Sequence, residues 1–220
     1  MTPAVLTDFD DTAAFQNVAE LLLNQFADPS WHDVRKSFRA GKLTFKDYQE
    51  ITFRTVQADR ATMQDYVKQH AKLRPYFGDL WRHCRNNNIP MAVVSIGLDF
   101  YIEALLQSEG YTDIPIYSVS TSFTDQGLIY EYRHTRPEEA HLGISKGSVV
   151  DRFRNQGHHV VFIGDGRSDL TAASKADTVF AHSVLAEECD RQQIPFLPFN
   201  DFGDVLSALR EYPLNGESFS

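Results

Sequence analysis

The stretch "VLTDFDDTAA", residues 5–14, runs from apolar residues directly into three carboxylates. Asp8 and Asp10 are two positions apart, and side chains alternate between faces along a strand, so both would point the same way. Two carboxylates held together repel each other, and their pKa values rise unless positive charge lies nearby. The sequence therefore predicts a cation beside Asp8 and Asp10.

Composition excludes several function classes. The chain has 220 residues, of which 42% are hydrophobic, enough for a sizeable core. Its net charge is −9 and no Lys/Arg-rich run occurs, so we expect no nucleic-acid partner. No apolar run approaches the ~18–20 residues of a membrane span, and no signal-peptide pattern is present. Because Cys84 and Cys189 lie far apart in sequence, we expect a cytoplasmic protein without a disulfide framework.

Short apolar runs alternate with helical stretches after residue 75, a pattern typical of βαβ units on a parallel sheet. The runs are apolar through their length, as strands covered on both faces are. A polar segment, residues 121–134, is predicted to form a hairpin around Asp125, Gln126 and Gly127. We therefore predict an α/β fold with a Rossmann-like parallel sheet. Its strands would include residues 4–10, 91–97, 158–166 and 178–182.

The segment after the first strand has a different pattern. Apolar residues recur at helical spacing in 18–26, Thr44 and Asp47 have the spacing of a capping box, and no strand run intervenes. The sequence thus predicts a small all-helical cap inserted after the first strand. The domains would be a cap at residues 14–75 and a core formed by residues 1–13 and 76–220.

Several polar residues follow the predicted strands. Ligands of open parallel sheets bind outside the carboxyl ends of the strands. Ser95 lies near the end of one strand, Asp165 follows another, and Asp169 comes four residues later. Glycine beside such residues lets the backbone turn tightly and approach a ligand, so we expect Gly97 and Gly166 to support the site. These side chains should converge with Asp8 and Asp10 at one edge of the sheet.

Converging carboxylates need a cation. Oxygen ligands without a companion His or Cys favour Mg²⁺, which keeps waters that a substrate phosphate can displace. Lys146 lies in the first turn of a predicted helix, where a cation opposes the macrodipole at a cost of ~0.3–1 kcal/mol, which suggests a functional role. Thr12 and Ser95 offer hydroxyl donors. We therefore predict that Thr12, Ser95 and Lys146 bind phosphate beside a Mg²⁺ site.

Four ordered segments resemble the motifs of haloacid-dehalogenase-superfamily phosphatases, and they span nearly the whole chain. The segments are Asp8–Thr12, Ser95 after an apolar strand, Lys146, and Gly164–Asp169. The helical insert resembles the cap of the phosphoserine-phosphatase-like branch. Within that branch, residues 24–31 and 179–202 resemble the matching segments of methionine-salvage phosphatases.

Two positions depart from the family pattern. Asp11 stands where these phosphatases often carry Gly or Ser, which adds a carboxylate near the phosphate pocket. Asn17 stands where phosphoserine phosphatases carry a Glu that meets the substrate ammonium. The second departure makes phosphoserine a less favoured substrate.

The resemblance implies a Mg²⁺-dependent phosphatase that acts on a small phosphorylated metabolite through an aspartyl-phosphate. Asp8 would be the nucleophile, and Asp10 would act as general acid and then general base. The carboxylates of Asp8 and Asp165 and the backbone carbonyl of Asp10 would hold the metal. Asp169 would hold a metal-bound water or orient Lys146.

Other functions stay open at this point. A receiver-type signalling module also uses an acidic pocket, Mg²⁺, a hydroxyl and a Lys, but it is shorter and lacks a helical insert. A non-catalytic metabolite-binding protein of the same fold would not need both a nucleophile and an acid. Phosphoserine phosphatase, phosphomutase and dehalogenase activities are further alternatives, although a dehalogenase needs no metal-binding carboxylates.

The sequence leaves the oligomeric state open. It also leaves the substrate open, because it does not show which cap residues face the pocket among Asn17, Trp31, Arg35, Arg39 and Arg54.

Overall fold

The computed structural model describes residues 2–125 and 127–211. Its strands are β1 Pro3–Thr7, β2 Met91–Leu98, β3 Ile116–Thr124, β4 Gly127–Glu131, β5 His159–Gly164, β6 Thr178–Ala181 and β7 Leu197–Pro198. They form one sheet in the order β4-β3-β2-β1-β5-β6-β7, in which only the β3–β4 pair is antiparallel. The predicted α/β fold with a parallel sheet is confirmed.

The helices lie between these strands and after the last one. They are α1 Val18–Phe26, α2 Trp31–Arg39, α3 Phe45–Phe53, α4 Arg60–His70, α5 Phe77–Asn86, α6 Asp99–Ser108, α7 Lys146–Asn155, α8 Leu170–Ala173, α9 Ser183–Gln192 and α10 Phe202–Glu211. No helix in the described ranges is long and apolar enough to cross a membrane.

The central position of β1 decides where the site forms. All five of its residues are buried, and it pairs in parallel with β2 on one side and β5 on the other. Thr7 lies opposite Val93 of β2 and Ile163 of β5. The residues that follow these strands therefore meet at one edge of the sheet.

The prediction that the first strand continues through Asp10 is wrong. The strand ends at Thr7, and residues 9–13 form one wide turn in which the Ala14 N–H donates to the Phe9 carbonyl. Within this turn Asp11 has a φ of 61°, a left-handed conformation that ends any strand alternation. Asp8 and Asp10 consequently point to different partners. The predicted hairpin is present as β3 and β4, although its tip residue Gln126 lies outside the described residues.

Helices α1–α4 occupy the predicted cap segment, and their apolar side chains join the main core. Thr44 and Asp47 form the expected capping box at the start of α3. Buried cap residues such as Leu22 and Phe53 belong to the same hydrophobic cluster as Phe9 and Phe100 of the core. The division into a separate cap domain at 14–75 stays a prediction.

Polar contacts hold the cap over the edge of the sheet that carries the site. Arg60 of α4 pairs with Glu103 of α6 at 3.1 Å. The hydroxyl of Tyr132, just beyond β4, donates to Glu50 of α3 at 2.5 Å. The cap is therefore tied to the core by contacts on two sides.

Candidate active site

A buried ion triad lies at the carboxyl end of β1. The Nζ atom of Lys146 is 2.5 Å from Oδ1 of Asp8 and 2.6 Å from Oδ1 of Asp169. Lys146 is the first residue of α7, and its position points the ammonium at the two carboxylates. Asp8, Lys146 and Asp169 are 6%, 1% and 0% exposed, so solvent screens this cluster weakly.

The backbone around Asp169 holds its carboxylate in place. Its Oδ2 accepts hydrogen bonds from the N–H groups of Asp165 at 3.1 Å and Gly166 at 2.9 Å. A Cβ at Gly164 would lie 2.6 Å from the same oxygen, so only glycine leaves room for this carboxylate. Gly166 has an ordinary φ of −108°, and a Cβ there would make only ordinary van der Waals contacts, the nearest with the Ser168 hydroxyl oxygen at 3.7 Å. Gly164 therefore admits Asp169, while Gly166 contributes its N–H.

Asp165 is oriented by a neighbour that the sequence predicted to bind phosphate. The hydroxyl of Thr12 donates to Oδ1 of Asp165 at 2.8 Å, and Thr12 is fully buried. The Thr12 hydroxyl proton thus points at Asp165 in this structure. The role of Thr12 as a phosphate ligand stays a prediction.

The carboxylate of Asp10 lies between the core and the cap. Its Oδ1 accepts from the backbone N–H of Val18, the first residue of α1, at 2.7 Å. Its Oδ2 accepts from the hydroxyl of Tyr101 on α6 at 2.9 Å. Tyr101 is fully buried, so the phenol holds the carboxylate in a defined orientation. The position of Asp10 therefore depends on both α1 and α6.

Ser95 and Gly97 shape the part of the site contributed by β2. The Gly97 N–H donates to the Ser95 Oγ at 3.0 Å, which leaves the serine hydroxyl free to donate its own proton. A Cβ at Gly97 would lie 2.0 Å from the Tyr101 hydroxyl and 3.0 Å from Oδ2 of Asp10. Glycine is required here because the Tyr101–Asp10 hydrogen bond passes this close to the backbone.

Burial and like charges shift the pKa values of the carboxylates. Burial, reinforced by the charge of Asp169, raises the pKa of Asp8 well above its ordinary value despite the lowering effect of Lys146. Burial raises the pKa of Asp10 to about 6, against the hydrogen bonds from Tyr101 and Val18. Burial and repulsion from Asp169 likewise raise the pKa of Asp165 to about 6. Lys146, in contrast, stays charged. Burial by itself lowers the pKa of Lys146, but the charges of Asp169 and Asp8 outweigh burial, so its pKa lies above the ordinary value.

The acidic residues fit a divalent cation. Oxygen atoms of Asp8, Asp165 and Asp169 lie within 4.8 Å of one another. Hard carboxylate oxygens suit Mg²⁺, and a cation would relieve the repulsion that raises their pKa values. Both oxygens of Asp169 already accept hydrogen bonds from protein groups. Asp8 and Asp165 are therefore the carboxylates best placed to hold a metal.

A cavity of about 250 Å³ extends from this site into the cap. Asp8, Asp10, Ser95 and Asp165 line one end of the cavity. The cap contributes aromatic side chains and two arginines at the other end, namely Phe38, Phe45, Tyr48, Phe53, Arg35 and Arg39. The volume suits a small phosphorylated metabolite.

Some of the candidate specificity residues line this cavity and others do not. Asn17 lines it and caps α1 by accepting from the Glu20 N–H at 2.9 Å. Trp31 is buried in the hydrophobic cluster that the cap shares with the core, and Arg54 lines a separate groove near the hairpin. Arg35 lines the cavity while paired with Glu20 at 2.6 Å.

Two residues that position the site, Tyr101 and Arg74, could not be recognised from the sequence. Tyr101, described above, has no local signal beyond its helical spacing. Arg74 donates to the backbone carbonyls of Thr12 at 2.8 Å, Asp11 at 2.5 Å and Asn200 at 3.1 Å. It thereby fastens the turn that follows Asp8. Arg74 lies at the end of the predicted cap segment, directly before Pro75, and no pattern in the sequence there indicates these contacts.

A helical cap above an acidic site at the carboxyl edge of a parallel sheet defines the class of protein. Residues 5–174 match the family model of haloacid dehalogenase-like hydrolases. The chain belongs to this family, as the four motifs predicted. The prediction of an enzyme of the hydrolase class is confirmed with it.

Curated relatives that match nearly the whole chain are named 2-hydroxy-3-keto-5-methylthiopentenyl-1-phosphate phosphatase. The protein of Exiguobacterium sibiricum is 31% identical over 216 residues, covering 96% of this chain and 97% of the relative. The protein of Brevibacillus brevis is 27% identical and covers 93% of each chain. The predicted resemblance to methionine-salvage phosphatases is confirmed.

Solved structures support the fold. A phosphoserine phosphatase described as a phospho-aspartyl intermediate analogue has a TM-score of 0.68 and 17% identity, covering 94% of this chain and 98% of that chain. A haloacid-dehalogenase-family hydrolase from Salmonella enterica serovar Typhi has a TM-score of 0.75 and 17% identity, covering 96% of this chain and 73% of that chain. At these identities the likeness concerns the fold alone.

Proposed function

We propose that this protein is a phosphomonoesterase that hydrolyses a small phosphorylated metabolite through an aspartyl-phosphate on Asp8. The observation that carries the proposal is the buried triad of Asp8, Lys146 and Asp169 at the end of a metabolite-sized cavity. One oxygen of Asp8 pairs with Lys146, and within the described part of the chain its other oxygen accepts no hydrogen bond. That oxygen is free to attack phosphorus.

Asp10 is proposed as the general acid and base. With its pKa raised to about 6, its carboxyl can be protonated near neutral pH and can donate to the leaving alkoxide. The resulting carboxylate is stabilised by the Tyr101 hydroxyl and the Val18 N–H. It can then take a proton from the water that hydrolyses the aspartyl-phosphate. Its environment thus supports both halves of the reaction.

Lys146 and Ser95 are proposed to bind the phosphoryl oxygens. The Lys146 ammonium lies beside the attacking carboxylate, so it can offset the charge that develops on the transferring group. The Ser95 hydroxyl lines the cavity and can donate its proton. Asp169 is proposed to orient Lys146. One of its oxygens accepts from the Lys146 ammonium, and two backbone N–H groups hold the other oxygen in place.

We propose Mg²⁺ as the cofactor, held by the carboxylates of Asp8 and Asp165 and the backbone carbonyl of Asp10. When bound, the ion would withdraw negative charge from the phosphoryl group. The chain's contribution is to hold the two carboxylates close together, with Thr12 orienting Asp165.

The named relatives support 2-hydroxy-3-keto-5-methylthiopentenyl-1-phosphate as the first substrate to test. Asn17 at the cavity wall has no charge with which to meet a substrate ammonium, which argues against phosphoserine. We further propose a cytoplasmic location, supported by the two buried cysteines, which are both free.

The test measures hydrolysis of p-nitrophenyl phosphate and of 2-hydroxy-3-keto-5-methylthiopentenyl-1-phosphate. Wild type and Asp8→Asn are compared, each with Mg²⁺ and with EDTA. We expect turnover that requires the metal and disappears in Asp8→Asn. The introduced asparagine would keep the shape of the side chain, so circular dichroism should show an intact fold. Metal-dependent turnover retained by the variant would contradict the assignment of Asp8, and no turnover of any phosphomonoester would favour a binding or signalling role.

A further inference from the structure

Two glutamines of the cap donate to backbone carbonyls of the core. The Nε2 of Gln49 on α3 donates to the Ile96 carbonyl at 3.1 Å. The Nε2 of Gln64 on α4 donates to the Phe100 carbonyl at 2.9 Å. A carbonyl can only accept, so the amide nitrogen must face it in both cases. The orientation of each side-chain amide is thereby defined.

The second amide atom distinguishes the two glutamines. Gln49 is 3% exposed, and its Oε1 is a buried acceptor with no hydrogen-bond donor among the described residues. Gln49 also lines the cavity that contains Asp8 and Ser95, whereas Gln64 does not. Buried polar atoms nearly always have a hydrogen-bond partner. A donor on the molecule that occupies the cavity would supply this one.

The anchor of Gln49 lies next in sequence to the residue that is proposed to bind phosphate. Ile96, whose carbonyl holds the amide, lies between Ser95 and Gly97, next to the hydroxyl proposed to bind a phosphoryl oxygen. The aromatic side chains of Phe38, Phe45 and Tyr48 line the cavity as well, and they offer apolar surface for the rest of a substrate. A substrate whose phosphate meets Ser95 would therefore bring the carbon chain next to its phosphoester closest to Gln49.

We propose that Oε1 of Gln49 accepts a hydrogen bond from a hydroxyl on the substrate's carbon chain, and that it selects hydroxylated phosphomonoesters over their deoxy analogues. This inference rests on the proposed phosphatase function. The discrimination arises because a deoxy analogue leaves a buried acceptor without a partner, and such a loss is larger than that of a solvent-exposed hydrogen bond. Gln49 is thus a specificity-determining residue supplied by the cap.

The experiment compares kcat/KM for glycerol 3-phosphate and propyl phosphate, which share a three-carbon chain and differ in two hydroxyl groups. Wild type, Gln49→Met and Gln64→Met are assayed with Mg²⁺. We expect wild type to favour the hydroxylated ester at least about tenfold. Gln49→Met should bring the ratio close to one. Gln64→Met is the matched control, because it removes a cap-to-core hydrogen bond of the same kind outside the cavity, and it should keep the wild-type ratio.

Each ratio is internal to one protein, so a change in overall activity does not affect it. A wild-type ratio near one, or an unchanged ratio in Gln49→Met, would overturn the proposal. An equal loss of the preference in Gln64→Met would also overturn the proposal, because the preference would then depend on how the cap is held against the core and not on Gln49. Gln49→Leu serves as a second variant if thermal melting shows that Gln49→Met does not fold. If wild type hydrolyses none of the three compounds, glycerol 3-phosphate, propyl phosphate and p-nitrophenyl phosphate, the proposed function is overturned, and this inference with it.

Discussion

The ammonium of Lys146 lies 2.5 Å from the carboxylate of Asp8, and both side chains are buried. Asp169 lies at 2.6 Å from the same nitrogen, so one buried cation serves two buried carboxylates. Surface pairs such as Lys36 and Asp33, each 78% exposed, contribute little to stability. Losing one partner of a buried cluster is costly, because it leaves uncompensated charge in a medium of low dielectric constant.

We expect Lys146→Met to lower both stability and activity. Removing the ammonium leaves Asp8 and Asp169 facing each other, which should reduce the free energy of unfolding by about 3–5 kcal/mol in urea denaturation. The loss of a charge that stabilises the transferring phosphoryl group should reduce kcat by roughly 10²–10³-fold. Lys36→Met is the matched control and should leave the urea midpoint unchanged. Equal midpoints for both variants would contradict a stabilising role for Lys146.

Tyr101→Phe should change the pH dependence of catalysis. Asp10 must be protonated to act as an acid, so with its pKa raised to about 6, kcat/KM should decline as pH rises above that value. The Tyr101 hydroxyl stabilises the Asp10 carboxylate, so its removal raises the pKa and moves the descending limb to higher pH. We expect a displacement of roughly one pH unit, corresponding to one hydrogen bond to a charged group. A limb that stays in place, or moves to lower pH, would contradict this role for Tyr101.

Asp165→Asn should stabilise the metal-free protein at neutral pH. The folded-state pKa of Asp165 is raised to about 6 from an ordinary value of 3.8, so its contribution to stability is full below pH ~4 and is lost as pH rises through about 6. The variant should therefore unfold less readily than wild type at pH 7.5 in EDTA, by roughly 1–2 kcal/mol, and the difference should shrink at pH 4.5. The amide oxygen of the introduced asparagine can still accept from Thr12, so the local hydrogen bond is kept.

The measurement is thermal unfolding at both pH values, with EDTA and with Mg²⁺. Added Mg²⁺ should raise the melting temperature of wild type more than that of Asp165→Asn, because a ligand stabilises the state that binds it. A variant that melts below wild type in EDTA at pH 7.5 would show that repulsion among these carboxylates is not the dominant effect.

Gly97→Ala should lower the stability of the protein, whereas Gly166→Ala should leave it almost unchanged. The new Cβ at position 97 would lie 2.0 Å from the buried Tyr101 hydroxyl, and relieving that overlap should cost about 1–3 kcal/mol. At position 166 the nearest atom would lie 3.7 Å away, so the change in stability should stay within about 0.5 kcal/mol. Urea unfolding compares the two variants. Similar losses at both positions would contradict the close approach of Tyr101 to Gly97.

The sequence by itself determined the central parallel strands of the sheet and the main residues of the site. Buried parallel strands are apolar along their whole length, so β2, β5 and β6 could be predicted to within a residue or two. Their carboxyl ends meet at one edge, so the approximate convergence of Asp8 and Asp165 follows from strand order. The need for a cation beside grouped carboxylates follows from electrostatics alone.

Only the tertiary structure decided where each of these side chains points. The first strand ends before Asp8, so Asp8 and Asp10 do not share one face of a strand, and Asp10 turns to Tyr101 and the start of α1. Thr12 was expected to face phosphate, and its hydroxyl donates to Asp165. The partners of these groups lie up to 153 positions away in sequence, and no local pattern encodes such distances. Backbone periodicity specifies which residues reach the site, whereas long-range packing specifies which atoms they meet there.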